Sequence, residues 1–460
     1  MVCRSEGSAP VAQARLPGGI FAPKMPGTGL YPRGALGDTP VMDDGNPDFA
    51  LLRRLFDRAV AVADPMRILS GHLPAKPPGR VVVIGAGKAS ARMAEAVEAA
   101  WGPCEGLVIT RYGHGRPCQG IEIVEAGHPV PDAAGVAATR RMLDLVAGLG
   151  PDDFALALIS GGGSALLCAP AAGLTLADKQ AVAQDLLASG APISEVNGVR
   201  KQLSAVKGGR LAAAAHPARM LALMISDVPG DAPGDIASGP TVGDAGDAER
   251  AARVLAHRGV TPPPAVAAHL ARGGAPVPPE DPRLARVENT VIAAPAQSLA
   301  AAADLARSEG IEVRHLGDAI EGEARRVAAD HAALALAARR DRASARPLLI
   351  LSGGELTVTR RGNGCGGPNA EYCLALALAL QGAPGIHALA CDTDGVDGAA
   401  EVAGARIAPD TLERARAAGL DPAAALARND AHRFFAALGD QVVTGPTLTN
   451  VNDFRALLIR

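Results

Sequence analysis

The side chains of this chain best suited to chemistry stand where aliphatic runs end. In VVVIGAGKAS, four β-branched residues lead into Gly85-Ala86-Gly87, Lys88 lies inside the turn, and a helix-forming segment follows. Such a turn gathers backbone N–H groups, the positive end of a helix dipole and an ammonium in one place, which suits an anion. As a dinucleotide fingerprint the loop is incomplete. Ser90 stands where the third glycine belongs, and the next strand, GLVIT, runs into Arg111-Tyr112-Gly113-His114 rather than an acidic ribose partner. Val82 at the place of the first glycine excludes a Walker-type loop.

In ISGGGSALL, Gly161, Gly162 and Gly163 free the backbone to approach a ligand, and Ser164 can cap the following helix. A nest of N–H groups there suits phosphate oxygens, and the absence of a G-x-S-x-G elbow argues against a serine nucleophile. SEVNGVRKQLSAVKGGRLA collects Arg200, Lys201, Lys207 and Arg210. As one helical stretch it would put Arg200 and Lys207 on a common face. ISDVPGDAPGDIASGPT carries Asp227, Asp231 and Asp235, placed to hold magnesium or accept a hydroxyl proton, although Asp, Gly and Pro also build plain turns. Further on, LSGGE presents Glu355, GNGCGGPNAE puts Gly366 and Gly367 before a helix that opens with Asn369 and Glu371, and ACDTDGVDG offers Asp392, Asp394 and Asp397 without EF-hand spacing. The last such loop, VTGPTLTNVND, supplies Thr444, Thr447, Asn450, Asn452 and Asp453. Together these loops outline two facing sets of anion- and cation-binding groups.

Elements must hold them. NPDFALLRRLFDRAVAVADP has the spacing of an amphipathic helix. Beyond it, short aliphatic runs alternate with Ala-rich helical segments, the pattern of a parallel sheet covered on both faces, and such sheets bind ligands at the carboxyl ends of their strands. At 460 residues the chain exceeds one ordinary core. The Pro- and Gly-rich stretch at 261–287 marks a boundary, so two α/β domains are expected over 46–285 and 286–460, after a disordered leader over 1–45. Met42 is an alternative start for the protein. With 48% hydrophobic, 20% charged and 2% aromatic residues, the cores are built from Ala, Val, Leu and Ile. A formal net charge of -3 without a basic segment argues against nucleic acid. No apolar run is long enough for a membrane span. Seven scattered cysteines without a C-x-x-C pair favour a reducing cytoplasm over zinc or a disulfide framework.

Taken in order, GAGKAS, GLVITRYGH, GHPVPD, ISGGGSALL, NGVRKQLSAVKGGRLA and SDVPGDAPGDIASGPT resemble the first domain of the type II glycerate kinases. LSGGE, GGPNAE, DTDGVDG and TGPTLTNVND resemble that family's second domain, called MOFRL. The resemblance covers the chain from about residue 46 to its end. It implies a Rossmann-like first domain without a nicotinamide, a smaller MOFRL-type α/β domain, and an interdomain cleft in which ATP and a divalent metal such as Mg2+ serve phosphorylation of D-glycerate to 2-phosphoglycerate. Relatives have also been called hydroxypyruvate reductase, which the incomplete cofactor loop speaks against. By matching motif, Lys88, Asp227, Asp231, Glu355 and Asn369 fall on polar positions of the cleft. Lys88, with Asp227 or Asp231, is expected to serve catalysis, and Asp231 and Asp394 to hold metal. Nucleotide phosphates are expected at Gly161, Gly162, Gly163, Ser164, Lys207, Glu355, Gly366, Gly367 and Asn369, and substrate at Lys88, Arg200 and Lys201. The expected partners are small molecules, with the chain a monomer or homodimer. A reductase using NAD(P)H and a non-catalytic sugar-acid-binding module are the rival readings. The chain departs from the family at Cys365 and Pro368, where basic residues are common and for which Arg360 or Arg361 would have to substitute, and at Leu448, where glycine is usual.

Overall fold

β1 (Val81–Ala86) explains the uninterrupted apolar runs. Val81 and Val83 point into one core, with Met93, Val97 and Leu158, while Val82 and Ile84 point into another, with Met142, Leu166 and Met220. A strand with helices on both faces has no wet side, so alternation vanishes from its sequence. With β2 (Glu105–Arg111), β3 (Ile121–Ala126), β4 (Phe154–Ile159), β5 (Arg219–Ile225) and β6 (Val287–Ala293) it forms a wholly parallel sheet in the order β3-β2-β1-β4-β5-β6. The order reverses between β1 and β4, which opens a crevice at their carboxyl ends. The computed structural model describes residues 45–341, 346–398 and 400–460; the expected leader lies almost entirely outside them.

The second sheet is mixed. β7 (Glu312–His315), β9 (Leu348–Gly354), β11 (Ile386–Asp392), β12 (Gly404–Ile407), β13 (Gln441–Val442) and β14 (Asp453–Ile459) take the order β13-β12-β11-β14-β9-β7, antiparallel except where β7 meets β9. The short β8 (Gly322–Glu323) and β10 (Leu356–Thr357) pair beside it. The two α/β lobes of the expectation are thus present, but the second sheet departs from the parallel arrangement of the first.

The boundary at 285/286 does not follow the sheets. β6 hydrogen-bonds to β5 and completes the first sheet. The opening helix Pro47–Ala61, started by Asn46, which accepts from the Asp48 amide at 2.9 Å, and by Pro47 at its first position, buries Leu52, Leu55 and Phe56 against the second sheet's Leu349, Phe454 and Leu458. The proline-rich stretch misleads because it lies inside the first lobe, before its last strand. By packing, the first lobe is an insertion between that opening helix and the rest of the second lobe.

The basic run also differs from expectation. Its helix, Ile193–Gln202, stops before Gly208 and Gly209, which adopt φ of +57° and +77°, so Arg200 and Lys207 share no helix face. Among the described residues no helix is long and apolar enough to cross a membrane, and the described cysteines are free thiols.

Candidate active site between the lobes

Lys88 leaves β1 at its carboxyl end, and its Nζ lies 2.5 Å from Oδ2 of Asp394 in the turn after β11. The pair joins the lobes, with side chains only 14% and 1% exposed. Burial disfavours the ammonium, but Asp394 and Asp392 outweigh it and hold the Lys88 pKa above the ordinary lysine value. Burial likewise opposes the carboxylate of Asp394, yet Lys88 keeps it below the usual range. The other oxygen of Asp394 accepts from the Val396 amide at 2.7 Å. Both of its oxygens are therefore engaged.

Two further sets of carboxylates ring this pair. Asp227, after β5, accepts from Asn450 Nδ2 at 3.1 Å and from the Gly162 amide. A Cβ on Gly161 would sit 2.2 Å from both Asp227 Oδ2 and Asn450 Nδ2, so only glycine lets this loop close on them. In the second sheet Asp392 is paired with Asp453, and Asp453 with Gly354, which brings Asp392, Asp453 and Glu355 to one edge. Burial, with Asp394 adding to it, pushes the Asp392 pKa well up. Glu355 is exposed to solvent at its surface, yet the surrounding protein, with Asp227 and Asp453, pushes its pKa up to about 7.

The backbone donors decide which loops can cradle phosphate. The amides of Gly87, Lys88, Ala89 and Ser90 donate to Ile109 O, Gly161 O, Ser160 Oγ and Gly87 O at 2.8–3.2 Å. Gly87, at φ +147°, has no room for a Cβ beside Ser160 Oγ. The loop that looks like a nucleotide cradle thus offers a ligand its ammonium and none of these four N–H groups. At the helix Pro368–Leu380, Asp397 accepts from the amides of Asn369 and Ala370 at 2.9 and 2.8 Å, and the Glu371 amide returns to Gly367 O. Pro368 has no donor. Asp397 already fills the anion position at Asn369, whose Nδ2 is held by Asp453 Oδ1 at 2.7 Å, while the amides of Gly366 and Gly367 meet no protein acceptor among the described residues. The triple-glycine loop is likewise open in part. Gly162 and Gly163 spend their amides on Asp227 and Ser160 O, whereas those of Gly161 and Ser164 meet no protein acceptor among the described residues. Ser164 is not a cap; its Oγ lies 2.7 Å from Ser238 Oγ.

The remaining expected residues scatter. Asp231 is partly exposed on the loop after β5, with φ +54° and no hydrogen bond to Lys88, Asp227 or Asp394. Lys201 is paired with Asp244 at 2.6 Å. Lys207 is fully buried, donates to Ala237 O at 3.1 Å, and is driven well below the ordinary lysine pKa by burial. Arg200 is half-buried, with no carboxylate partner among the described residues. At the departures, Pro368 takes the favourable first position of its helix. Arg360 and Arg361 are exposed, and Leu448 keeps the left-handed backbone a glycine would take, at φ +64°.

Four residues beside Lys88 and Asp227 carried no assigned role in the sequence reading: His114, His128, Arg111 and Asn450. Arg111 crosses the lobes to Glu401 at 2.9 Å. His114 and His128 lie in GLVITRYGH and GHPVPD, so the motifs held the signal even though spacing did not. Among the described residues no three His, Cys, Asp or Glu converge as a metal cage. The donors suit a hard dication that arrives with phosphate oxygens: both oxygens of Glu355 accept no hydrogen bond from the described residues, the Asp392 side chain is hydrogen-bonded to Asp394, and burial first, then neighbouring carboxylates, raises the pKa of Glu355 and Asp392, which a dication would offset.

Opposed strand ends of two α/β lobes, bridged by an ion pair and lined with carboxylates, define a two-lobed α/β protein with charged groups gathered where the lobes meet. Residues 51–271 match the family model described as a domain of unknown function, DUF4147, and residues 348–453 match the MOFRL family. A "putative hydroxypyruvate reductase" of Agrobacterium vitis is 53% identical over 89% of this chain and 94% of its own. The "D-glycerate 2-kinase" of Thermotoga maritima is 37% identical over 86% and 94%. The crystal structure of glycerate kinase from Thermotoga maritima superposes with a TM-score of 0.79 at 36% identity, covering 90% of this chain and all of that one. The chain belongs to the MOFRL family, with a DUF4147 domain as its first part.

Proposed function

We propose that this chain is a glycerate 2-kinase, transferring the terminal phosphoryl group of ATP to the 2-hydroxyl of D-glycerate. The observation that carries this reading is the convergence, at the strand ends of both lobes, of one buried ammonium, several carboxylates and a glycine loop with open amides. Phosphoryl transfer asks for positioning and charge neutralisation rather than a covalent protein intermediate. Lys88 offers its charge to the substrate carboxylate or to the transferred group. Asp227, fixed by Asn450 and the Gly162 amide, takes the 2-hydroxyl proton; burial raises its pKa above the usual carboxylate value, which makes it a better base. Asp231, with no contact to this set, is the weaker candidate. The open amides of Gly161 and Ser164 face phosphate oxygens. Asp392 and Glu355 would hold Mg2+ brought by the nucleotide; that ion neutralises phosphate charge when bound. The name carried by the Agrobacterium relative suggests a reductase instead. The first sheet does have the strand order of dinucleotide-binding folds, yet the four spent amides of residues 87–90 leave no pyrophosphate cradle where such folds build one.

Incubating the protein with ATP, Mg2+ and D-glycerate and identifying the product by NMR tests this. 2-Phosphoglycerate is expected. Oxidation of NADH with hydroxypyruvate, and no phosphorylated product, would replace the kinase with the reductase.

A further inference from the structure

Two imidazoles stand beside the Lys88–Asp394 pair, the ring of one, His114, facing the Lys88 backbone. His114 is 1% exposed, and neither ring nitrogen has a hydrogen-bond partner among the described residues. His128 lies half-buried across the triple-glycine loop: a Cβ on Gly162 would fall 3.0 Å from its Cδ2 and Nε2, and 3.1 Å from Lys88 Cγ. No described residue hydrogen-bonds its ring either. A buried polar group without a partner costs roughly 1–3 kcal/mol; His114 is such a group and the half-buried His128 lies beside it, so together at one ion pair they point to a ligand that supplies the missing bond.

The chemistry of that ligand follows from charge. Burial first, then Lys88 and Arg111, pushes His128 down to about 3; burial and Arg111 also lower His114. Both rings are therefore neutral near pH 7, each with one N–H donor and one bare nitrogen acceptor. A carboxylate can use only the donor and would sit better against Lys88. A hydroxyl both donates and accepts, and so can pair with whichever nitrogen of such a ring faces it. Resting on the kinase reading, the polar groups of D-glycerate divide accordingly: its carboxylate and transferred-phosphoryl charges go to the cations, its 2-hydroxyl goes to Asp227, and its terminal hydroxyl is left without a partner. We propose that His128, with His114 beside it, is the specificity residue that hydrogen-bonds the unreacting terminal hydroxyl of the hydroxy-acid substrate.

The test compares D-glycerate with D-lactate, which differs by lacking that hydroxyl. Sites built to hydrogen-bond a hydroxyl reject the analogue without it by about 10,000- to 100,000-fold, and at least a tenfold preference is expected here. It is read as the ratio of binding constants by calorimetry and, independently, as the ratio of kcat/KM. His128→Phe, which fills the same space against Gly162 without a polar edge, is expected to bring both ratios to within a few-fold of one by weakening glycerate while leaving lactate unchanged; His128→Asn, which restores a donor and an acceptor, should recover part of the preference. Thermal melts check that each variant folds, and His114→Phe supplies a second variant should His128→Phe not fold. An undiminished ratio in folded variants overturns the proposal, as does a wild-type protein that binds both acids equally. Calorimetry keeps it separate from the kinase reading: glycerate preferred without phosphoryl transfer sinks only the latter.

Discussion

Lys88 and Asp394 form a nearly dry ion pair, and a buried pair behaves asymmetrically. Removing one partner strands the other charge, at a cost of about 3 kcal/mol or more, whereas removing both is far milder. Lys88→Ala is therefore expected to lower stability in urea denaturation, and Lys88→Ala with Asp394→Ala to recover much of the loss. Glycerate kinase activity should fall about 100-fold or more in Lys88→Ala, because an electrostatic contributor to phosphoryl transfer is gone, and should stay low in the double variant. Recovery of stability and activity together would make the pair purely architectural. Glu355 adds a pH signature. Its folded pKa, about 7, is raised above the unfolded carboxyl value, so the native state binds the proton more tightly. Its contribution to stability is full at acid pH and fades as pH climbs through the folded value. On the reading that Glu355 holds Mg2+, kcat/KM for the magnesium nucleotide should rise through a limb near pH 7, and Glu355→Gln should remove that limb. A profile unchanged in Glu355→Gln would take Glu355 out of nucleotide binding. Lys88 was legible in the sequence because a lysine inside a strand-end glycine turn is an unusual residue in a telling place. His114 and His128 lay inside recognisable motifs, but what sets them apart, their burial beside the ion pair, only coordinates show.

Elements explain the loops that sequence misjudged. A glycine-rich turn before a helix looks the same in one dimension whether its amides are open or spent. The loop at 87–90 is closed by Ile109, Gly161 and Ser160, and the start of Pro368–Leu380 is closed by Asp397, a residue almost thirty positions away. Asp397 does still more: His432 Nε2 lies 3.1 Å from it, and the His432 amide donates to Cys365 O, so one carboxylate ties the 364–367 loop to its helix. Asp397→Ala would leave two buried amides unmet, and a loss of about 1–3 kcal/mol is expected in chemical denaturation. Gly161→Ala acts by position instead. Its methyl would collide with Asp227 and Asn450, so a loss of glycerate kinase activity about as large as that of Lys88→Ala is expected with little change in melting temperature. A crystal structure with the Asp227–Asn450 contact intact in an active Gly161→Ala would contradict that.

At the scale of the whole molecule, two α/β lobes were legible because fully buried strands leave near-continuous aliphatic runs. Their division was not, because no local signal says that the helix Pro47–Ala61 caps a sheet hundreds of residues away. It covers Leu349 and Phe454, and Asp48 accepts from Arg460 Nε at 2.9 Å. A fragment cut at 286 would carry β6 without its sheet and expose Leu299, Leu349 and Phe454; it is expected to aggregate. Residues 46–63 joined by a short linker to 295–460 should instead give a cooperative thermal melt by circular dichroism.

Because the first lobe is inserted into the second, the chain passes between them twice, at 62–64 and at 294. Two tethers leave a rigid pair of bodies little freedom except to swing about the line through both. The cleft would then open as a hinged jaw rather than by sliding. Lys88 and Asp394, bridging the lobes, form a clasp that a bound anion can loosen by drawing the ammonium to itself.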